Sequence, residues 1–458
     1  MSRNSHKYDA WINAGFYSAL QKISVVIFGV LSTMLLAHKG LKVTQMGVWS
    51  LFLVMTGLVE MIRHGLIRNS FIKYLSGNET ESKDIILASA LIMNIAITIL
   101  IAFLLIIFNS FISHKLHAPE LISMVKIFVV CFFLLIPFLH FEWIMIAESN
   151  FKGIFFSYLM RQGVTLLLLV IWMLLKMDVT LNLLVVFLLI GIITGSITAA
   201  SFCKNYFSSP FVFSKEWINK LWQFGKNSFG TGISNLFFRN ADQFLVSNLI
   251  SPAAASLKAV ALQGISLRIF NMCDIPSQVI GDILFPKSAN LSVDDHTTIR
   301  YYYEKSVGIT LAIILPIVIG IVLFSKWIVL ILAGANYLQT IPYLRLLMIA
   351  TIFLAFLKQF GTITDGTGLP HINFYMLTVI AVVNIASCYY FIAQYGLMGA
   401  AYGLLVTHCI AFCLTQYILF KLYGIRFYNC IVLAFTFYPE MFHILKSKVL
   451  NYGSNKNN

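Results

Sequence analysis

The sequence predicts an all-α polytopic membrane protein with about twelve transmembrane helices in two six-helix bundles. Three observations predict it. Hydrophobic residues make up 59% of the 458 and charged residues 11%, against about 45–50% and about 25% in soluble domains. Apolar runs long enough to cross a bilayer, about 20 residues each, recur along nearly the whole chain. The lysines and arginines between them concentrate in alternate connections. No connection is long enough to hold a separate soluble domain.

Read in order, the runs fall at roughly 12–37, 44–67, 85–108, 121–146, 152–175, 180–202, 228–249, 259–285, 304–324, 342–364, 371–393 and 397–420. The polar start MSRNSHKYDAW leads into an apolar stretch of about 25 residues. That is too long for a signal-peptide core and lacks a clear small-residue cleavage site, so it is expected to be the first span. A further stretch, 427–445, is short and broken by Pro439 and Glu440. It is expected as an interfacial or re-entrant helix rather than a thirteenth span.

Orientation follows from the basic residues. With the N-terminus inside, 18 Lys and Arg fall in inner segments and 6 in outer loops. Both termini are then cytoplasmic. This bias accounts for most of the +14 net charge, which therefore does not point to nucleic acid. The longer loops are also inside. The central one carries Trp217, Leu221, Trp222 and Phe224 among Lys215, Lys220 and Lys226, the pattern of a basic amphipathic helix on the inner leaflet. The expected organisation is a six-helix bundle over 1–202, an amphipathic linker over 203–227, a second bundle over 228–420, and a cytoplasmic tail over 421–458. Six spans in each half enter the membrane in the same sense, so any repeat is parallel. A shift of about 218 residues sets Lys152 near Pro370 and Cys203 near Lys421.

Seven cysteines lie mostly within apolar runs and form no CxxC pair. Cys409 and Cys413 are helically spaced and read as small packing residues, and no disulfide is expected. Walker A, GxSxG and HExxH motifs are absent. The protein is therefore expected not to be an enzyme and to need no cofactor, and transport would draw on an ion gradient, the membrane potential or the passenger's own gradient.

Charges inside the spans carry the functional signal, because an arginine at a helix centre costs about 2.5–3.5 kcal/mol on insertion scales. Arg63, Glu142, Asp282 and Asp365 lie toward cytoplasmic ends, Lys126 and Arg345 toward outer ends, and all six are expected as interface anchors. A deeper set remains: Lys22, Arg161, Arg239, Arg268 and Lys358, with Asp242 and Asp274. Lys22 lies about ten residues into its span, about 15 Å deep at 1.5 Å per residue. Five bases against two acids suit an anionic passenger such as a phosphate or an acidic sugar. Arg239 and Asp242, three residues apart in FFRNADQFLVSNLI, could instead neutralise each other on one face. Lys22, Arg161 and Lys358 have no carboxylate one turn away on their own helices. His408 is expected as a helix-contact residue, and Asn384 and Gln21 as interhelical hydrogen-bond groups.

Three segments carry a resemblance: RNADQFLVSNLISPAAASLKAVALQGISLRI, AGANYLQTIPYLRLL, and VVNIASCYYFIAQYGLMGAAYGLL with its Gly396, Gly399 and Gly403. Set within twelve spans, they resemble polysaccharide flippases of the multidrug/oligosaccharidyl-lipid/polysaccharide (MOP) exporter superfamily, which includes the O-antigen (Wzx-type) flippases of lipopolysaccharide biosynthesis. The resemblance covers essentially the whole chain. It implies a MATE-like, V-shaped pair of bundles around a central cavity lined by spans 1, 2, 7 and 8. It implies a multi-pass protein of the bacterial cytoplasmic (inner) membrane that moves an undecaprenyl-diphosphate-linked oligosaccharide by alternating access. Lys22, Arg161, Arg239, Arg268 and Lys358 would hold the diphosphate or acidic sugars. Asp242 and Asp274 would bind a coupling proton or sodium ion, or lock arginines between states. Membrane lipids, a polymerase and other glycan-assembly proteins would be partners. Related lipid II flippases have fourteen spans, and this chain has at most thirteen. A cation-coupled multidrug antiporter is the alternative, against which the basic excess argues; a membrane scaffold for envelope assembly is a third reading.

Overall fold

The structure, a computed structural model, describes residues 2–76, 83–206, 212–289, 291 and 295–439; side chains at 2–15, 227–228, 231, 233, 235–237, 239, 286–287 and 289 lie outside that description. Among the described residues all regular elements are helical. They are α1 (Ser2–Leu35), α2 (Val43–Arg63), α3 (Asn69–Leu75), α4 (Lys83–Lys115), α5 (Leu121–Ala147), α6 (Phe151–Leu174), α7 (Leu181–Phe202), α8 (Lys215–Leu249), α9 (Ala253–Cys273), α10 (Ile275–Ala289), α11 (His296–Leu332), α12 (Ile341–Gly366), α13 (Pro370–Tyr395) and α14 (Leu397–Tyr423), then α15 (Phe427–Pro439).

Eleven of the helical stretches are long and apolar enough to cross a membrane, and they coincide with eleven of the twelve expected spans. The remaining expected span, 228–249, lies inside α8. This 35-residue helix also takes in 215–227. Its Lys, Arg, Asp, Asn and Gln content keeps it out of the apolar set. Leu221 is fully buried and Trp217 nearly so, with the Tyr74 ring 5.5 Å from Trp217 and 6.2 Å from Phe224. The apolar face expected to rest on the inner leaflet therefore rests in part on protein.

Local chemistry explains where helices begin and end. Asn150 accepts from Gly153 N before α6, Thr180 from Leu183 N before α7, and Ser214 from Glu216 N before α8, each satisfying a donor the helix cannot. Asp295 does the same for α11, accepting from Thr298 N, and the Thr298 hydrogen bonds hold its carboxyl below the usual range. Gly396 (φ 56°) turns the chain between α13 and α14, and Gly424 (φ 65°) closes α14.

Among the described spans, α11 is kinked at Phe324 (φ −97°, ψ 16°), and two further interruptions bear on the polar residues. A π-helical turn at His64–Arg68 joins α2 to α3, and a break at Asp274 separates α9 from α10. Pro276, two residues on, has no N–H to give and suits the first turn of α10.

The chain divides into two compact units. The first comprises Met1–Leu236, Val246–Leu262 and Ile331–Asn336. Within it α7 lies tight on α6. A Cβ at Gly191 would overlap Arg161 O and Thr165 Oγ1, and one at Gly195 would stand 2.8 Å from Arg161 Cβ. Small residues at GxxxG spacing let two backbones approach where no aqueous hydrophobic effect drives association. The second unit comprises Phe237–Leu245, Gln263–Leu330 and Tyr337–Asn458. There α13 and α14 use the same device: a Cβ at Gly403 would stand 2.8 Å from Cys388 Cα, and one at Gly399 would overlap Phe391 O. α15 climbs α11 in the same direction. Asn429 meets Glu304 at 3.0 Å, Leu433 packs at Gly308, and Tyr438 donates to Ala312 O at 2.6 Å. The described part, Phe427–Pro439, follows α11 rather than lying across it; residues 440–445 of the expected stretch lie outside the described residues.

Candidate functional site

In the first unit Glu60 and Arg63 of α2, Thr98 of α4, Glu142 of α5 and Tyr158 and Arg161 of α6 form a cluster. Arg161 on α6 has its backbone held against α7 by Gly191 and Gly195. Its guanidinium lies 4.9 Å from the Phe138 ring centroid. Arg161 Nη2 donates to Glu60 Oε1 on α2 at 3.1 Å, with the side chains 18% and 29% exposed. So Arg161, which has no acid on its own helix, finds one 101 residues away. Three residues beyond Glu60, Arg63 is fully buried. Its guanidinium stacks 3.9 Å from the Phe132 ring centroid, and Nη1 donates to Thr98 Oγ1 at 3.4 Å and Phe132 O at 3.5 Å. The expected snorkelling of Arg63 does not occur, because α4 and α5 close over it. Glu142, also expected as an anchor, is buried too, and Tyr158 Oη donates to it at 3.0 Å.

Lys22 belongs to this unit. α1 packs along α6, with the Tyr17 and Phe155 ring centroids 6.0 Å apart and Phe28 against the face of Gly163, where an added Cβ would stand 3.6 Å from Phe28 Cζ. Lys22 lies between those contacts, level with the stretch of α6 that carries Tyr158 and Arg161.

The second unit holds Asp242 and Asp274. Asp242 on α8 is fully buried and accepts from Gln263 Nε2 on α9 at 2.7 Å. Its Oδ1, like Gln263 Oε1, has no hydrogen-bond partner among the described residues. Arg239, one turn earlier, has its side chain outside the described residues. Nearby on α8, Phe238 O accepts from Asn384 Nδ2 at 2.8 Å. Asn384 Oδ1 accepts in turn from Cys388 Sγ and Thr407 Oγ1, so Asn384 ties α8, α13 and α14 together as expected of an interhelical group. His408 packs its ring between Phe238 and Phe270 and bonds Leu404 O at 2.8 Å. Asp274 stands buried at the α9–α10 break, where Gln278 Nε2 donates to its Oδ2 at 3.0 Å.

Arg268 and Lys358 are both half-buried, and they sit at different depths. Ser266, two residues before Arg268, bonds Thr340 at the start of α12 (2.6 Å). Gln359, beside Lys358, donates to Ser277 O past the break (3.0 Å). Along α12 these levels are roughly 20 Å or more apart at 1.5 Å per residue. The structure thus brings Lys22 and Arg161 to one level in the first unit, and sets Arg268 and Lys358 at two levels of the second.

Glu60, Arg63, Tyr158 and Gln263 complete these arrangements and were not singled out as site residues from the sequence. The i, i+3 spacing of Glu60 and Arg63 was the visible signal for one pair. Gln263 gave none, since a glutamine on an apolar helix reads equally as a packing group.

Comparison with known proteins fits this architecture. Solved structures similar to the chain include the lipid II flippase MurJ in an inward closed conformation (TM-score 0.75, 16% identity, 94% of this chain and 92% of that one). They also include an inward-facing multidrug resistance MATE family transporter of the MOP superfamily (TM-score 0.68, 15% identity, 89% and 98%). The chain therefore shares the all-helical fold of these structures. Curated relatives include an uncharacterized membrane protein of Methanocaldococcus jannaschii, 25% identical over 259 residues covering 55% of this chain and 50% of that protein. Another is an uncharacterized membrane protein in the cps region of Klebsiella pneumoniae, 26% identical over 195 residues covering 41% of this chain and 39% of that protein. The chain spans half or less of the length of these curated relatives. The model of the polysaccharide biosynthesis protein family matches residues 23–342, and the chain belongs to that family.

Proposed function

We infer that the protein is a flippase that carries an undecaprenyl-diphosphate-linked oligosaccharide across the cytoplasmic membrane by alternating access, in the assembly of a surface polysaccharide such as O-antigen. The observation that carries this reading is the basic excess at membrane depth in a member of a polysaccharide biosynthesis family. Lys22 and Arg161 lie at one level of the first unit, and Arg268 and Lys358 are half-buried in the second. A diphosphate carries its charge on oxygens that a guanidinium fork binds in pairs and an ammonium binds as a point charge. The proposed roles are head-group binding for Lys22, Arg161, Arg239, Arg268 and Lys358. Asp242 and Asp274 are proposed to couple transport to H+ or Na+, or to exchange arginine partners between states. Burial of both carboxylates, each holding a glutamine amide, supports the coupling role, because a carboxylate taken out of water gains from a proton or a small cation. Membrane lipids and glycan-assembly proteins such as a polymerase are the proposed partners.

A cation-coupled multidrug antiporter is the second reading, and the fold shared with a MATE transporter favours it. Reconstitution separates the two. In vesicles, a fluorescent lipid-diphosphate sugar should cross, and faster with a proton or sodium gradient. Lys22→Ala and Arg239→Ala should abolish glycan export while membrane insertion persists. Expulsion of a cationic dye with no movement of the lipid sugar would overturn the flippase reading.

A further inference from the structure

Arg161 and Arg63 share one nearby acid, Glu60, and they are held very differently. The Arg161–Glu60 pair is partly exposed, 18% and 29%, whereas Arg63 is 0% exposed. Arg161 cannot withdraw far, because Gly191 and Gly195 clamp its backbone to α7 and Phe138 lies under its guanidinium. Arg63 is fixed as well, stacked on Phe132. Yet Arg63 is under-satisfied: Nε and Nη2 are buried without a hydrogen-bond partner among the described residues, and the two bonds of Nη1 are long, 3.4 and 3.5 Å. Buried guanidinium donors left in that condition favour any carboxylate that can reach them.

Glu60 can reach them. It precedes Arg63 by three residues on α2, a spacing that places the two side chains on one face. Its stem has rotatable bonds and its carboxylate is the least buried member of the trio. Two other groups face the trio. Glu142 is engaged by Tyr158, and His64 packs edge-on against Trp143 at 6.1 Å.

We propose that Glu60 is a transferable counter-ion, which neutralises Arg161 until an anionic head group takes that arginine and then turns one step along α2 to Arg63. The exchange leaves no charge uncompensated, because two arginines and one carboxylate await an anion. It also gives the passenger a competitor, so the head group is released when Glu60 returns. Glu60 is in this sense a positioning residue that sets how tightly Arg161 holds anions. The inference rests on the flippase reading and deepens it.

The test uses the full chain in vesicles with the fluorescent lipid-diphosphate sugar. Glu60→Gln frees Arg161 from its competitor, so apparent KM should fall, by about fivefold for a partly exposed ion pair. Turnover should fall too, because release loses its driving partner. Loss of both together marks ground-state binding that has become too tight; a merely structural defect would lower turnover without lowering KM. Glu60→Asp should restore much of the wild-type turnover. Arg63→Lys, which keeps the charge and removes the fork, should slow turnover while leaving KM near wild type. A KM in Glu60→Gln that is unchanged or raised, in a wild type that does translocate, overturns this inference alone. A wild type that does not translocate overturns the flippase reading and this inference with it.

Discussion

Gln263 donates its side-chain amide to Asp242 over 2.7 Å, and both residues are fully buried. The pair separates two roles that an acid inside a membrane protein can have. Asp242→Asn preserves an acceptor for Gln263 and removes only the charge. Thermal unfolding in detergent should therefore change little, by less than about 1 kcal/mol, since interhelical hydrogen bonds in membranes average about 0.6 kcal/mol. Gradient-dependent translocation should be lost. An Asp242→Asn protein that still responds to the gradient would assign Asp242 to structure alone.

Asn384 is a structural counterpart. It donates to Phe238 O and accepts from Thr407 and Cys388. Asn384→Leu should lower stability by about 1 kcal/mol, read as a lower thermal midpoint, with the protein still inserted.

The α6–α7 contact sets where Arg161 stands. A Cβ at Gly195 would stand 2.8 Å from Arg161 Cβ and 3.1 Å from both Phe138 Cε2 and Ser157 O. Gly195→Leu must push the helices apart, at a cost of about 1–3 kcal/mol for overpacking, and should displace Arg161 from Glu60. Gly232→Ala is the control, because a Cβ there meets nothing within 4 Å among the described residues. That variant should be neutral or slightly stabilising, since alanine is the better helix former by up to about 1 kcal/mol. Thermal midpoints of the two variants check this.

Arg161→Lys tests the fork. A lysine can still pair with Glu60, so folding should be retained. It offers the passenger a point charge in place of two parallel donors. Translocation should fall roughly tenfold, the worth of about 1.4 kcal/mol, without loss of expressed protein.

The first unit ties two connections with histidines. His117 bonds Ser247 O at 3.0 Å while Ser247 Oγ donates to Leu116 O at 2.7 Å, and His38 bonds Ile331 O at 3.0 Å. Replacing both His38 and His117 with alanine should loosen these ends. Hydrogen exchange at the end of α8 and at 331–336 should then rise.

The sequence by itself determined the helices, eleven of the spans, and the residues bearing charge at membrane depth. Those are properties of composition and periodicity along a single segment, and the bilayer thickness turns them directly into structure. It also determined the α13–α14 seam, because Gly399 and Gly403 mark close approach wherever the partner helix lies. Only the tertiary structure decided which charge meets which. Glu60 lies 101 residues from Arg161, and nothing local announces the pairing. Arg63 looked free to reach the headgroups until α4 and α5 enclosed it. The breaks at His64–Arg68 and Asp274 re-aim side chains that a continuous helix would point elsewhere. Partner choice depends on each helix's rotation and on its neighbours. Those are fixed by packing across the whole unit, not by the sequence of any one span.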